Sequence, residues 1–361
     1  MPRPDPLAGR ELQGYRLLHV LPHEEGELEI PLWIGEEQGT KESVLLALIG
    51  AATRAEAARA ACYDRCLRMA QVEHHTLPDL IESASPESED CFVAWTMPAG
   101  TTLRTRLRRA PADAAFAVRL LRSAAEGLAA LHAAGEVHGA LCPAVLAADD
   151  RGRASLLAAG SGSLVLDDSA LAAAARYRAP EQLFDPTAYR QPAVGPAADV
   201  WALGILLYEL LEGVPPFSGA TLEEVRRAAL LAAPASLGVR PGEGLPGLGA
   251  LIARSLDPDP DRRFAHAGEM GEALDELHRS LETRTVPRGH EPGNEVGEEA
   301  ATAPTLIVSK PLAREPRAAP ARTERRLGAS PEPPFPLALW LVPSVVLVAL
   351  VLLLLWLLEV I

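Results

Sequence analysis

Lysine is nearly missing from this sequence. Of its 34 basic residues only Lys41 and Lys310 are lysines; the rest are arginines. Chemistry that needs an ammonium group ahead of Lys310 can therefore draw on Lys41 alone. Cysteine is scarce too. Cys62, Cys66, Cys91 and Cys142 are too few in 361 residues for a disulfide framework, and they read as reduced cytosolic thiols. Cys62 and Cys66 lie four apart, with His74 and His75 soon after. The pair fits an apolar helix face better than a zinc site, and no metal is expected there. Positive charge is outweighed: a net charge of −14 leaves nothing to offset phosphate repulsion and excludes a general nucleic-acid binder. The opening MPRPDPLAGRELQ has no apolar run, so no signal peptide is read there.

Apolar residues, by contrast, make up 48% of the chain. Part of that share is one uncharged run, LALWLVPSVVLVALVLLLLWLL, at residues 337–358. At about 1.5 Å per residue such a run reaches roughly 30 Å, the thickness of a bilayer core. Trp340 and Trp356 sit near its ends, as interfacial anchors do. Arg314, Arg317, Arg322, Arg325 and Arg326 precede it, which by the positive-inside rule puts the large N-terminal part in the cytoplasm. The expectation is a single-pass, C-terminally anchored protein of the inner (cytoplasmic) membrane, with residues 359–361 as a short tail. Residues 284–336 are rich in Pro, Ala and Arg without apolar periodicity and read as a disordered linker.

Residues 13–283 form the globular part, after a tail at 1–12. Up to about residue 97 there are short strand-like runs, YRLLHVL, SVLLALI and CFVAWTM, around one helical stretch from Arg54 to Ala70. From 98 to 283 helical patterns dominate. DAAFAVRLLRSAAEGLAALHAAG is a long amphipathic helix stopping at Gly135, and ADVWALGILLYELLEG is apolar nearly all round, as a buried helix is.

Four segments then appear in order: LAALHAAGEVHGALCPAVL, RYRAPEQL, PAADVWALGILLYELLEGVPPFSG and SLDPDPDRRFAHAGEM. In sequence and spacing they resemble the bacterial eukaryotic-like (Hanks-type) serine/threonine protein kinases. The resemblance implies an α+β, two-lobed protein-kinase-like fold with a β-rich N-lobe and a helical C-lobe, followed here by the single transmembrane helix. It also implies scaffold roles. Glu181 would pair with Arg263, Asp199 would accept backbone hydrogen bonds from the catalytic loop, and His138, Gly160 and Trp201 would hold fold positions.

Phosphoryl transfer in that family needs a phosphate cradle, a lysine, metal ligands and a base for the acceptor hydroxyl. The resemblance places Gly26 alone in the cradle, beside Pro22, Glu24, Glu25 and Glu27, which disfavour phosphate. Ala47 falls at the strand lysine; Lys41 is six residues, roughly 20 Å of strand, away. Arg65, next to Asp64, falls near the helix glutamate, and a one-residue slip would put an acid there. Ala140 falls at the base, Cys142 at the loop lysine, Val145 at the first metal ligand and Ala158 at the second, with Ala159 where the family has Phe. Ala173 and Ala174 replace the Gly-Thr ahead of the Ala-Pro-Glu motif, and Trp95 falls at the gatekeeper. Asp149 and Asp150 read as ordinary turn residues.

These losses lead to an expectation of a catalytically degenerate member, a pseudokinase rather than an enzyme. It would have no catalytic or nucleotide-binding residues and no cofactor, neither ATP nor Mg2+. Its partners would be the membrane, through 337–358, and a signalling protein such as an active kinase, with no nucleic acid. One alternative is an atypical or weakly active ATP-binding serine/threonine protein kinase. Another is a tethered docking protein that works through its linker.

Overall fold

The computed structural model describes residues 7–285, apart from 25–26, 29, 53–55, 110, 158–172, 184–193, 232–233, 235–236 and 238–246. Ala158, Gly160 and the run at 337–358 lie outside the described residues. No helix among the described residues is long and apolar enough to cross a membrane.

The N-terminal lobe is an antiparallel sheet. Its strands are β1 (Glu11–Leu12), β2 (Tyr15–Val20), β3 (Leu32–Glu37), β4 (Ser43–Ala47), β5 (Leu80–Ser83) and β6 (Val93–Thr96), in the spatial order β1-β2-β3-β4-β6-β5. Strand β4 pairs on both sides, Ala47 facing Leu32 of β3 and Val93 of β6, which is why its apolar run has no polar face. Lys41 sits in the β3–β4 turn with φ 64° and reaches back 3.3 Å to Glu36. Strand β3 has only a short apolar start, and the sequence pattern did not single it out. Helix α1 (Ile49–Ala52) leads to α2 (Glu56–Met69), whose buried residues include Arg59, Cys62, Cys66 and Met69.

A small second sheet joins β7 (Thr101–Thr102), β8 (Leu146–Ala148) and β9 (Ala154–Leu156). Helix α3 (Leu103–Leu107) follows β7. Helix α4 (Ala114–Ala133) starts at the N-cap Asp113, whose carboxylate accepts from Phe116 N. Gly135 follows its end at φ 79°, a left-handed stop. Helix α5 (Pro196–Glu212) opens on a proline at its first turn and closes on Gly213 at φ 80°. Gly204 is where α5 meets α7 (Leu248–Ser255): a Cβ there would lie 2.7 Å from the Ser255 side chain. Helices α6 (Leu222–Leu231) and α8 (Ala267–Thr285) complete the described lobe, α8 packing along α4.

The two lobes share one hydrophobic core. It runs from Leu21, Ile30 and Ala47 to Cys142, Val145 and Leu157 without a break. The other face of the sheet has its own cluster around Tyr15, Trp33 and Phe92.

Candidate functional site

The loop between α4 and β8 carries His138 to Val145 and is held from below by α5. Asp199, fully buried in the first turn of α5, accepts from the amides of His138 at 2.9 Å and Gly139 at 2.7 Å. His132 Nε2 lies 2.9 Å from the same carboxylate. Burial works to raise the Asp199 pKa, but His132 and the backbone donors outweigh it and hold it below the ordinary carboxylate value. His138 is fully buried, with Nε2 3.3 Å from Leu157 O, and burial pushes its pKa down, so it is a neutral packing residue.

Gly139 stands at φ +68°, a conformation that an arginine at this position would reach only with strain. Its carbonyl accepts from Gln182 Nε2 at 2.8 Å and from Arg178. From the other lobe, Arg65 on α2 donates to Val137 O at 2.7 Å and His138 O at 3.3 Å. An arginine thus ties the helix to the loop backbone near the place where the resemblance expected an acid facing a lysine. Nothing in the sequence pattern pointed to this contact.

The second anchor is Glu181 with Arg263. The two side chains form a bidentate pair at 2.7 and 2.8 Å, and Arg263 also donates to the carbonyls of Asp257, Ala197 and Pro258. Its guanidinium lies 4.9 Å from the ring centre of Trp201, which is stacked on Phe217 at 5.5 Å.

Above the loop, Ala47 is fully buried and Val145 nearly so; Ala140 is half-buried. Trp95 on β6 is also buried, opposite Leu45 of β4. Asp149 and Asp150 occupy the β8–β9 turn. Asp149 accepts from Arg151 N, Arg153 N and Arg153 Nε, and Asp150 pairs with Arg106.

Glu24 and Glu27, between β2 and β3, reach the helical lobe. Glu27 Oε1 accepts from Ala144 N at 3.1 Å, and Arg104 on α3 grips the same carboxylate at 2.9 to 3.3 Å. Arg104 also reaches Glu24 at 2.9 Å and Tyr177 Oη at 2.8 Å. Glu209 on α5 closes the group, 3.3 Å from Tyr177 Oη.

Comparison with known proteins bears on the whole arrangement. The family model for the protein kinase domain matches residues 43–270. This chain belongs to the protein kinase domain family. Among its relatives is serine/threonine-protein kinase PknD of Mycobacterium tuberculosis, 31% identical over 210 residues, which cover 53% of this chain and 29% of the relative. Serine/threonine-protein kinase PknL of the same species is 31% identical over 197 residues, covering 53% and 48%. Serine/threonine-protein kinase pkn2 of Myxococcus xanthus is 28% identical over 273 residues, covering 72% and 32%. The chain thus spans less than half the length of each of these kinases.

Two expectations from the sequence are corrected by this match. A non-enzyme was expected, whereas the kinase domain model and the serine/threonine kinase relatives point to a kinase enzyme. No ATP or Mg2+ was expected, whereas members of this kinase family normally use both. The physical reason is that the match runs through the segments that build both lobes, so losses at single positions do not take the chain out of the family.

The side chains at those positions remain as described. Ala47, Ala140 and Val145 carry no donor or acceptor atom, and a carboxylate, Glu27, rests on the catalytic-loop backbone. These side chains do not fit an ATP–magnesium complex held in the family's manner.

Proposed function

We propose that this chain is an atypical serine/threonine protein kinase that binds ATP weakly and turns over slowly, tethered to a membrane through residues 337–358 with its kinase domain in the cytoplasm. The observation that carries this reading is the intact support of the catalytic loop. Asp199 holds the His138 and Gly139 amides, and Glu181 holds Arg263, in a chain that belongs to the kinase family.

Slow turnover follows from Ala140. A positioned base contributes about 10²- to 10⁴-fold to such a step, and a methyl group cannot take the acceptor's proton. What the chain's own residues supply is a loop whose backbone is held by Asp199.

A second reading draws on the same loop. The half-buried methyl side chain of Ala140, on a well-supported scaffold, suits a domain that also works by binding another signalling protein, an active kinase among the candidates.

The test is phosphoryl transfer by the full chain in detergent micelles. Labelled ATP with Mg2+ or Mn2+ is expected to transfer slowly to serine or threonine. Absence of transfer at millimolar ATP, with a folded chain, would sink the kinase reading.

A further inference from the structure

Positive charge is the exception on this chain, whose net charge is −14. It gathers at one corner of the helical lobe. Arg106, Arg108 and Arg109 come from α3 and the turn after it, Arg119 from the start of α4, and Arg151 and Arg153 from the β8–β9 turn. Arg106 joins these elements. Its Nη2 donates to Ala148 O at 3.2 Å and to Asp150 at 2.9 Å, and its guanidinium lies 5.1 Å from the centre of the Phe116 ring. Gly152 brings the turn onto α4: a Cβ there would stand 3.3 Å from the Arg119 side chain. Asp149 and Asp150 pair with Arg153 and Arg106, and Asp113 caps α4. Among the described residues no carboxylate pairs with Arg108, Arg109, Arg119 or Arg151. Arg108, Arg109 and Arg151 are exposed. Like charges gathered in one place repel one another, so such a corner adds no stability of its own and suits an anionic partner.

Helix α8 ends at the same corner, because it runs antiparallel to α4. Ala267 N lies 3.2 Å from His132 Nδ1, a Cβ on Gly271 would meet Ala125 at 3.6 Å, and Arg122 pairs with Asp275 at 3.1 Å. Each further residue of α8 moves toward the first turn of α4, and Thr285 is its last. The chain that leads on to the apolar run at 337–358 sets out from there.

We propose that this arginine corner docks on the anionic headgroups of a bilayer and so orients the kinase domain on the membrane. The inference rests on the membrane tether of the reading above. An anionic lipid surface favours binding by about fivefold for each arginine brought near it. The attraction acts within a Debye length of roughly 8 Å at physiological salt. A tether keeps the corner close to the surface, so modest gains per residue are enough. The remaining charge of the chain is negative and is repelled by the same surface, which selects one orientation.

The full chain is placed in lipid nanodiscs of phosphatidylcholine alone, or with an equal part of phosphatidylglycerol. Its exposed arginines are labelled with phenylglyoxal and followed by mass spectrometry. Arg108, Arg109 and Arg151 are expected to label at least about fivefold more slowly in the anionic discs. That difference should vanish at about 1 M salt. Arg227 and Arg262, exposed elsewhere, should label alike in both discs. Arg108→Glu with Arg109→Glu, both at exposed positions, is expected to return Arg151 to its rate in neutral discs. If the chain elutes with the discs and the three arginines label equally in both, the docking is overturned and the tether stands. If the chain elutes apart from the neutral discs, the tether falls; slower labelling in the anionic discs then still supports the docking, and unchanged labelling overturns both. Slowing by soluble poly-glutamate, with none by the anionic discs, assigns the corner to an acidic protein and overturns the membrane proposal.

Discussion

Asp199 and Gly139, sixty residues apart, are joined by a 2.7 Å hydrogen bond from the glycine amide to the buried carboxylate. The same carboxylate takes the His138 amide, so one side chain fixes the loop in which the chemistry of a kinase would sit. Asp199→Ala leaves two buried N–H groups without an acceptor. We expect a loss of about 3–5 kcal/mol in urea unfolding, and a smaller loss for Asp199→Asn, which keeps one accepting oxygen. Equal stability of all three proteins would remove the aspartate from its supporting role.

Glu181 and Arg263 call for a double-mutant cycle. Arg263 is fully buried at its side chain and Glu181 is 10% exposed. Glu181→Gln alone strands a buried guanidinium, and Arg263→Met alone strands a buried carboxylate. Each single change should cost about 3–5 kcal/mol, with the double variant less damaged than the sum. Additive losses would show that the pair is not coupled.

Glu209 sets a pH dependence. Burial raises its carboxyl from the ordinary 4.5 to about 7, with Arg104 and the Tyr177 hydroxyl pulling the other way. Between those values the folded chain keeps a proton that the unfolded chain has lost. Stability from this group therefore falls as pH rises from about 4.5 to about 7 and then levels off. Glu209→Gln should remove the slope and be the more stable protein at pH 8, by on the order of 2 kcal/mol. The check is the difference in urea stability between the two chains at pH 5 and pH 8. A pH-independent difference would contradict the assignment.

Ala140 offers a gain of function. It is half-buried, so an aspartate can be added there without overfilling the core, unlike a lysine at the fully buried Ala47. Ala140→Asp is expected to raise phosphoryl transfer by about 10²-fold or more. The readout is the initial rate with labelled ATP, and an unchanged rate would show that a missing base is not what limits turnover.

The lobes and the long helices were legible in the sequence because apolar periodicity and Gly135 mark them locally. Strand β3 was not, since Leu32, Trp33 and Ile34 give way at once to glycine and glutamates. For the site, the family resemblance implied that Glu181 pairs with Arg263, and their atoms meet. The Glu27–Arg104 contact could not be read. Its partners are 77 residues apart, and a glutamate in that segment speaks from sequence only of phosphate repulsion. The contact of Arg65 with the loop was unreadable for a related reason. A missing acid says what a helix cannot bind, not which carbonyl its arginine will reach. The family match was needed to weigh those losses, because apolar positions alone suggested that the activity was gone.

The most direct test is equilibrium binding of ATP to the full chain, with and without Mg2+, followed by the shift in melting temperature. A ligand that binds the folded state raises that temperature by mass action. The account predicts a saturable shift only at high nucleotide concentration. No shift at millimolar ATP, with the chain folded, would contradict it.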